Sequence, residues 1–332
     1  MLMAEIKSAF AGTMPPAYDN KGKAPFPKTG TQKVEDWMPS PTKTKRQVFE
    51  ITFHQGTKHR HFVSGISPTL SGNAGFEATE GVMLKANRHA ESTEGTALLC
   101  VDEINRGPAV SIFGDTLTAV EADKRLDESN KVVNSSVPFY AHTEAGKLEA
   151  CYLSPHLYLL ASMNEADTSV EPLDVAFLRR FSTYRLYPDL KAAVAFLGTA
   201  EDPALPLIAV TSEHVYGALW KAWRAVNQRI ALGRSPTFEI GHGVIMWGQP
   251  PKTLPEALAY AEQCWGRIEA HIDEVFFGNE QARAIVYNAD DKTTYRLNEA
   301  YFGDQPVMQL RKVSEQDLYK LLLEVSGNLA NA

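Results

Sequence analysis

The sequence is poor in cysteine. Cys100, Cys151 and Cys264 are its three, and no two of them form a CxxC pair. That excludes a disulfide scaffold and a cysteine-ligated zinc finger, and it suits a reducing cytoplasm. Long hydrophobic runs are also lacking. None approaches the roughly 18 apolar residues that a membrane-spanning helix needs. The opening Met1-Leu2-Met3-Ala4-Glu5-Ile6-Lys7 has no charged-then-apolar leader layout. Positive charge is not in excess. Against 33 Lys+Arg stand 40 Asp+Glu, a formal net charge of −7, which argues against a broad nucleic-acid-coating surface. No Gly-x-x-x-x-Gly-Lys-Ser/Thr occurs in the chain. Lys23 and Lys28 lie near glycines, but without the spacing that wraps a phosphate in backbone N–H groups and then opens a helix. Internal repeats and low-complexity tracts are missing as well.

What remains is a chain of 332 residues, 44% hydrophobic and 22% charged, long enough for one large domain or two smaller ones. Leu2, Met3, Ile6, Ala9 and Phe10 share one apolar face, so residues 1–10 read as a helix fragment. Residues 11–45 are rich in Pro, Gly, Lys and Thr and read as a long surface connection. From there strand and helix alternate. Val48–His54 is a strand, 79–91 a helix, and Thr96–Val101 a continuous apolar strand of the kind buried on both faces. Pro108 starts a helix carrying Val110, Phe113, Leu117 and Val120. Residues 124–153 read as an inserted hairpin or loop, His156–Met163 as a second buried strand, Pro172–Arg180 as a short helix and Ser182–Leu186 as a last strand. This order predicts a parallel sheet flanked by helices. Past Pro188 helices dominate, with aromatic stretches around Trp220–Trp223 and Trp265–Phe277. Three segments follow: an α/β core over 1–187, a smaller helical domain over 188–280 and a tail over 281–332, in which 314–325 reads as an amphipathic helix.

Chemistry concentrates at three points. Ala97–Val101 runs into Asp102 and Glu103, two carboxylates at the carboxyl end of a parallel strand, where open α/β sheets bind ligands. In nucleotide hydrolases such an Asp helps to hold Mg²⁺ and a following Glu polarises the attacking water. A strand-ending acidic turn is the plainer alternative. Leu159–Met163 then runs into Asn164, whose amide can hold a water near a γ-phosphate or simply cap a turn. Arg179 and Arg180 end a short helix. They either form a solvated face interacting with the helix dipole or reach a neighbouring subunit's phosphate.

Taken in order, these segments resemble the AAA+ nucleotide hydrolases of the McrB type, within the dynein-related/MoxR-like group. Asp102-Glu103-Ile104-Asn105-Arg106-Gly107 is similar to that family's extended Walker B segment, and Ile112–Asp115, Glu121–Arg125 and Pro138–Tyr140 follow its pattern. Met163–Asp167 resembles its sensor 1 segment, Leu173–Phe181 its arginine-finger helix, and Phe53–Gln55, Phe62-Val63 and Gly65-Ile66 its second-strand segment. Ile240-Gly241-His242 and Ile268–Gly278 fit its helical lid. The likeness spans residues 48–280. Thr168 stands where many relatives have Arg, and Gly243 where they often have Ser.

The resemblance implies Asp102 as the Mg²⁺ carboxylate, Glu103 as the catalytic base and Asn164 as sensor 1. It implies Arg179 and Arg180 acting in trans, Asn105 and Arg106 near the phosphates at a subunit interface, and His242 as either a lid contact or a packed structural histidine. It further implies ATP or GTP hydrolysis in a ring, a hexamer, partnered by a nuclease subunit of the McrC type in restriction of foreign DNA. DNA would be reached through that complex. With no P-loop in the chain, the expectation is that Met1 lies just after a P-loop of the natural protein. The sheet would then lack the strand that pairs Tyr158–Met163 with Ser182–Leu186, and the chain alone would hydrolyse nucleotide poorly. Two further readings stay open: a non-catalytic ring subunit that supplies arginines, and a MoxR-like chaperone ATPase.

Overall fold

The structure, a computed structural model, describes residues 2–12, 42–69, 75–142, 146–167, 173–313 and 317–327. Most of the connection expected over 11–45, and Thr168, lie outside the described residues. Two units are present, Met1–Thr183 and Tyr184–Ala332.

The first unit runs α1 (Leu2–Ala11), β1 (Lys45–Thr52), α2 (His59–Phe62), β2 (Ser64–Pro68), β3 (Phe76–Glu80), α3 (Val82–Glu91), β4 (Gly95–Asp102), α4 (Ala109–Phe113), α5 (Thr116–Ala119), β5 (Phe139–His142), β6 (Leu148–Cys151), β7 (Leu157–Ala161) and α6 (Val175–Leu178). Strands β1, β4 and β7 form a parallel sheet in that order, with Val48 opposite Leu98 and Leu98 opposite Tyr158. As the middle strand, β4 is buried from Gly95 to Val101, which is why its sequence is continuously apolar rather than alternating. Ala97, Leu99 and Val101 enter a core shared with Phe53, Phe62, Leu84, Phe113 and Phe177. Leu98 and Cys100 point to the other face. There α1 lies across the sheet, Lys7 Nζ pairing with Glu50 at 2.7 Å and Phe10 meeting the Tyr158 ring at 6.0 Å. Burial pushes the Cys100 thiol up to about 11.

Two antiparallel hairpins, β2–β3 and β5–β6, rise from this sheet, the second inside the insertion expected over 124–153. Arg125 anchors the approach to β7. Its guanidinium donates to the carbonyls of Val120 (3.0 Å), Leu157 (2.6 Å) and Ser154 (3.4 Å), and burial lowers its pKa to about 10. The last strand expected at Ser182–Leu186 is corrected. Those residues are exposed coil, and among the described residues β7 has β4 as its one partner. A strand is defined by its ladder pairing, and among the described residues no sheet includes this segment. Nor is the free edge of β7 sealed in a core, because Tyr158–Ala161 are half-exposed.

The second unit runs α7 (Leu190–Leu197), α8 (Ser212–Gly233), α9 (Leu254–Val275), α10 (Glu280–Val286), β8 (Tyr295–Phe302), β9 (Gln305–Lys312) and α11 (Leu318–Ser326). Trp220, Trp223 and Trp265 fill its centre. Residues past 280, expected as a tail, enter the same core through Val286, Tyr287, Tyr295, Tyr319 and Leu321–Leu323. Trp265 Nε1 donates to Tyr295 Oη at 2.9 Å, and Arg229 donates to the carbonyls of Val286 and Val325, so α8 and α9 hold the later elements directly.

Candidate functional site

Strand β4 delivers Asp102 to the end of the sheet, and the chain turns at once. Glu103 has φ +54°, a left-handed conformation that costs an ordinary side chain about 1 kcal/mol and that its surroundings must hold. Among the described residues the other non-glycine residues with positive φ are Asn130 and Asn288, the residue type that tolerates it best. A bulkless residue is needed four positions after Glu103. A Cβ at Gly107 would come within 2.8 Å of the His54 carbonyl oxygen, so glycine lets this turn press against the end of β1.

Strand β7 supplies the other wall. Its register sets Ala161 opposite Val101, so Ser162 falls opposite Asp102. Ser162 Oγ donates to Asp102 Oδ1 and accepts the Glu103 N–H at 3.3 Å. The Ser162 carbonyl accepts the Ile104 N–H at 2.9 Å. Two residues on, the Asn164 carbonyl accepts from Asn105 Nδ2 at 3.0 Å, which ties both segments together a second time. Asn164 Oδ1 caps a turn by accepting the Ala166 N–H at 3.0 Å. Both the sensor and the turn-cap readings of Asn164 are thus compatible, one using the amide nitrogen and the other the oxygen.

Arg106 lies over the carboxylates. Its Nε is 3.5 Å from Glu103 Oε2, and its Nη2 donates to Asp167 Oδ2 at 3.1 Å. Asp102, Glu103, Asn105, Arg106 and Asn164 therefore gather at one sheet end. Sequence reasoning gave Ser162 and Asp167 no role. The signal for Ser162 is a hydroxyl two residues before Asn164 on the strand neighbouring β4.

The two arginines part company. Arg180 is mostly buried, its Nε pairing with Glu121 at 3.1 Å and its Nη1 donating to the Ala176 carbonyl. Arg179 is exposed and makes no side-chain hydrogen bond or ion pair among the described residues. Asp174 caps α6 by accepting the Phe177 N–H at 2.5 Å. Phe177 then packs on Phe113 and Phe181, each at 5.3 Å, which fixes the helix to the core under the site. His242 belongs to the second unit. Its Nδ1 accepts the Asp189 N–H at 3.0 Å, a structural engagement.

The site's fit to Mg²⁺ can be judged on its oxygens. Glu103 Oε2 and Asn105 Oδ1 are buried and accept no hydrogen bond, and the Asp102 carboxylate stands at the exposed mouth. No group of three metal-ligating side chains occurs among the described residues. One carboxylate with orphaned acceptors beside it is no closed cage. It suits a hard cation that keeps its waters and is shared with phosphates.

Residues 28–181 match the AAA domain family of the dynein-related subfamily. Over 242 residues the chain is 27% identical to the type IV methyl-directed restriction enzyme EcoKMcrB subunit of Escherichia coli, a match covering 71% of this chain and 48% of that protein. Over 86 residues it is 35% identical to the YdiS component of the type II restriction enzyme BsuMI of Bacillus subtilis, covering 26% of this chain and 25% of that one. The chain thus spans about half the length of the first relative and a quarter of the second. A match to a solved structure from Cytophaga hutchinsonii, assigned as an ATPase, covers 59% of this chain and 54% of that one, with 13% identity and a TM-score of 0.27. No helix among the described residues is long and apolar enough to cross a membrane.

Proposed function

From its place among McrB-type AAA+ proteins, with a dynein-related AAA domain at residues 28–181, we propose that the chain is a nucleotide-hydrolysing subunit of a restriction system. GTP or ATP is the substrate, the working form is a ring such as a hexamer, and the partner is a nuclease subunit of the McrC type, through which DNA is engaged. The observation that carries this reading is the meeting of Asp102 and Glu103 with Ser162, Asn105 and Asn164 at one sheet end.

Asp102 would hold Mg²⁺, which when bound neutralises charge on the phosphates. Glu103 accepts a proton from the attacking water as the new P–O bond forms and the bond to the β-phosphate oxygen breaks. Asn164 orients that water through its amide nitrogen. Arg106 sets the rotamer of Glu103, and Arg179 reaches the phosphates of the adjacent copy. The test is turnover of GTP and ATP by the ring assembled with its nuclease partner. Arg179→Ala subunits mixed with Glu103→Gln subunits should recover turnover that neither variant has alone. No recovery contradicts action in trans.

One observation favours a second reading. Arg179 is exposed and unpaired among the described residues, which also suits a ring subunit that lends its arginine to active neighbours without turning over nucleotide itself. Calorimetric binding of Mg·GTP and Mg·ATP separates the two. Binding supports the hydrolase, and its absence the lending subunit.

A further inference from the structure

Glu103 sits in a conformation that its own side chain disfavours, and what holds it there comes from a different strand. Three of the restraints on the turn are backbone bonds. Ser162 N–H donates to the Val101 carbonyl at 2.9 Å, Ile104 N–H to the Ser162 carbonyl at 2.9 Å, and Phe53 N–H to the Asp102 carbonyl at 2.9 Å. None of these reaches Asp102's carboxylate or Glu103's own N–H. The Ser162 hydroxyl reaches both. A hydroxyl offers one donor and two acceptor positions. Here the donor goes to Asp102 Oδ1 and one acceptor position takes the Glu103 N–H.

We infer that Ser162 is a positioning residue, whose hydroxyl fixes the Asp102 carboxylate and the Glu103 backbone against each other from the end of β7. It acts through the two carboxylates. This inference rests on the reading of Asp102 and Glu103 as the nucleotide site. It adds the group that sets their relative geometry and links them to the strand carrying Asn164.

The bonds predict an outcome that does not depend on turnover. Ser162→Ala keeps every backbone bond and removes only the hydroxyl. Amide hydrogen exchange followed by NMR on the full chain, without nucleotide, should show Glu103 N–H exchanging about tenfold faster in Ser162→Ala. Ile104 N–H, bonded to the Ser162 carbonyl, should keep its protection, and Ser162→Thr should restore that of Glu103. Unchanged exchange at Glu103 in Ser162→Ala overturns the inference, and so does equal loss at Glu103 and Ile104, which would mean general loosening of β7. In rings whose subunits carry a P-loop, Ser162→Ala should lower kcat about tenfold, and Ser162→Thr should restore it. A wild-type ring that does not turn over would count against the proposed hydrolase, while the exchange result would still decide the role of Ser162.

Discussion

Arg179 and Arg180 are neighbours in sequence with different work to do. Arg180 is folded back onto Glu121 and the Ala176 carbonyl, so its guanidinium is part of the packing under the site. Arg179 is left to solvent. Arg180→Ala should therefore cost stability of about 1 kcal/mol, a fall of roughly 2–4 °C in melting temperature. Arg179→Ala should leave the melting curve within about 0.5 kcal/mol of wild type, as surface substitutions do. Equal losses in a thermal scan would contradict the split. Cys100 makes a second case at this scale. Desolvation raises its thiol to about 11, so at pH 8 it is almost entirely protonated and lies under α1. Alkylation at pH 8, followed by peptide mass spectrometry, should modify Cys100 roughly a hundredfold more slowly than a free thiol. Labelling at the free-thiol rate would mean that α1 does not cover this face.

Among the elements, β7 depends on the segment before it. Arg125 spends three donors on the carbonyls of Val120, Ser154 and Leu157, and no carboxylate partner is found among the described residues. Arg125→Met keeps the stem but strips those carbonyls of donors, and should destabilise the protein by about 2–3 kcal/mol in urea unfolding. A loss under about 0.5 kcal/mol would show that water replaces the guanidinium at no cost. Strand β4 was legible because burial on both faces leaves an unbroken apolar run; β7 was legible from the same kind of run although Tyr158–Ala161 are half-exposed, and Asp102 and Asn164 were legible as the polar residues that end such runs. Ser162 was not, since its importance lies in the register between two strands rather than in either strand's pattern. The hairpin β8–β9 was hidden for another reason. Arg296, Asn298, Glu299, Gln309 and Arg311 interrupt its apolar residues, and most of it faces solvent, so no period of two survives. Ser182–Leu186 misled in the opposite way, being β-prone by composition yet in no sheet among the described residues.

On the scale of the whole molecule, each unit has its own core, and the later segments are not additions to the second. Tyr295, Tyr319 and Leu321–Leu323 lie in the same cluster as Trp220, Trp223 and Trp265. A fragment of residues 184–327 should fold alone with a cooperative melt monitored by tryptophan fluorescence, whereas one ending at 280 should not. A cooperative melt of the shorter fragment would return residues past 280 to the status of a tail. The central claim is that the carboxylates at the end of β4 hydrolyse nucleotide, and Glu103→Gln tests it most directly. The substitution keeps the size and the left-handed turn but removes the base. In rings whose subunits carry a P-loop, GTP and ATP turnover by wild type and Glu103→Gln, measured together with nucleotide affinity, should show a loss of at least about a hundredfold in kcat with affinity retained. Turnover equal to wild type would contradict the account.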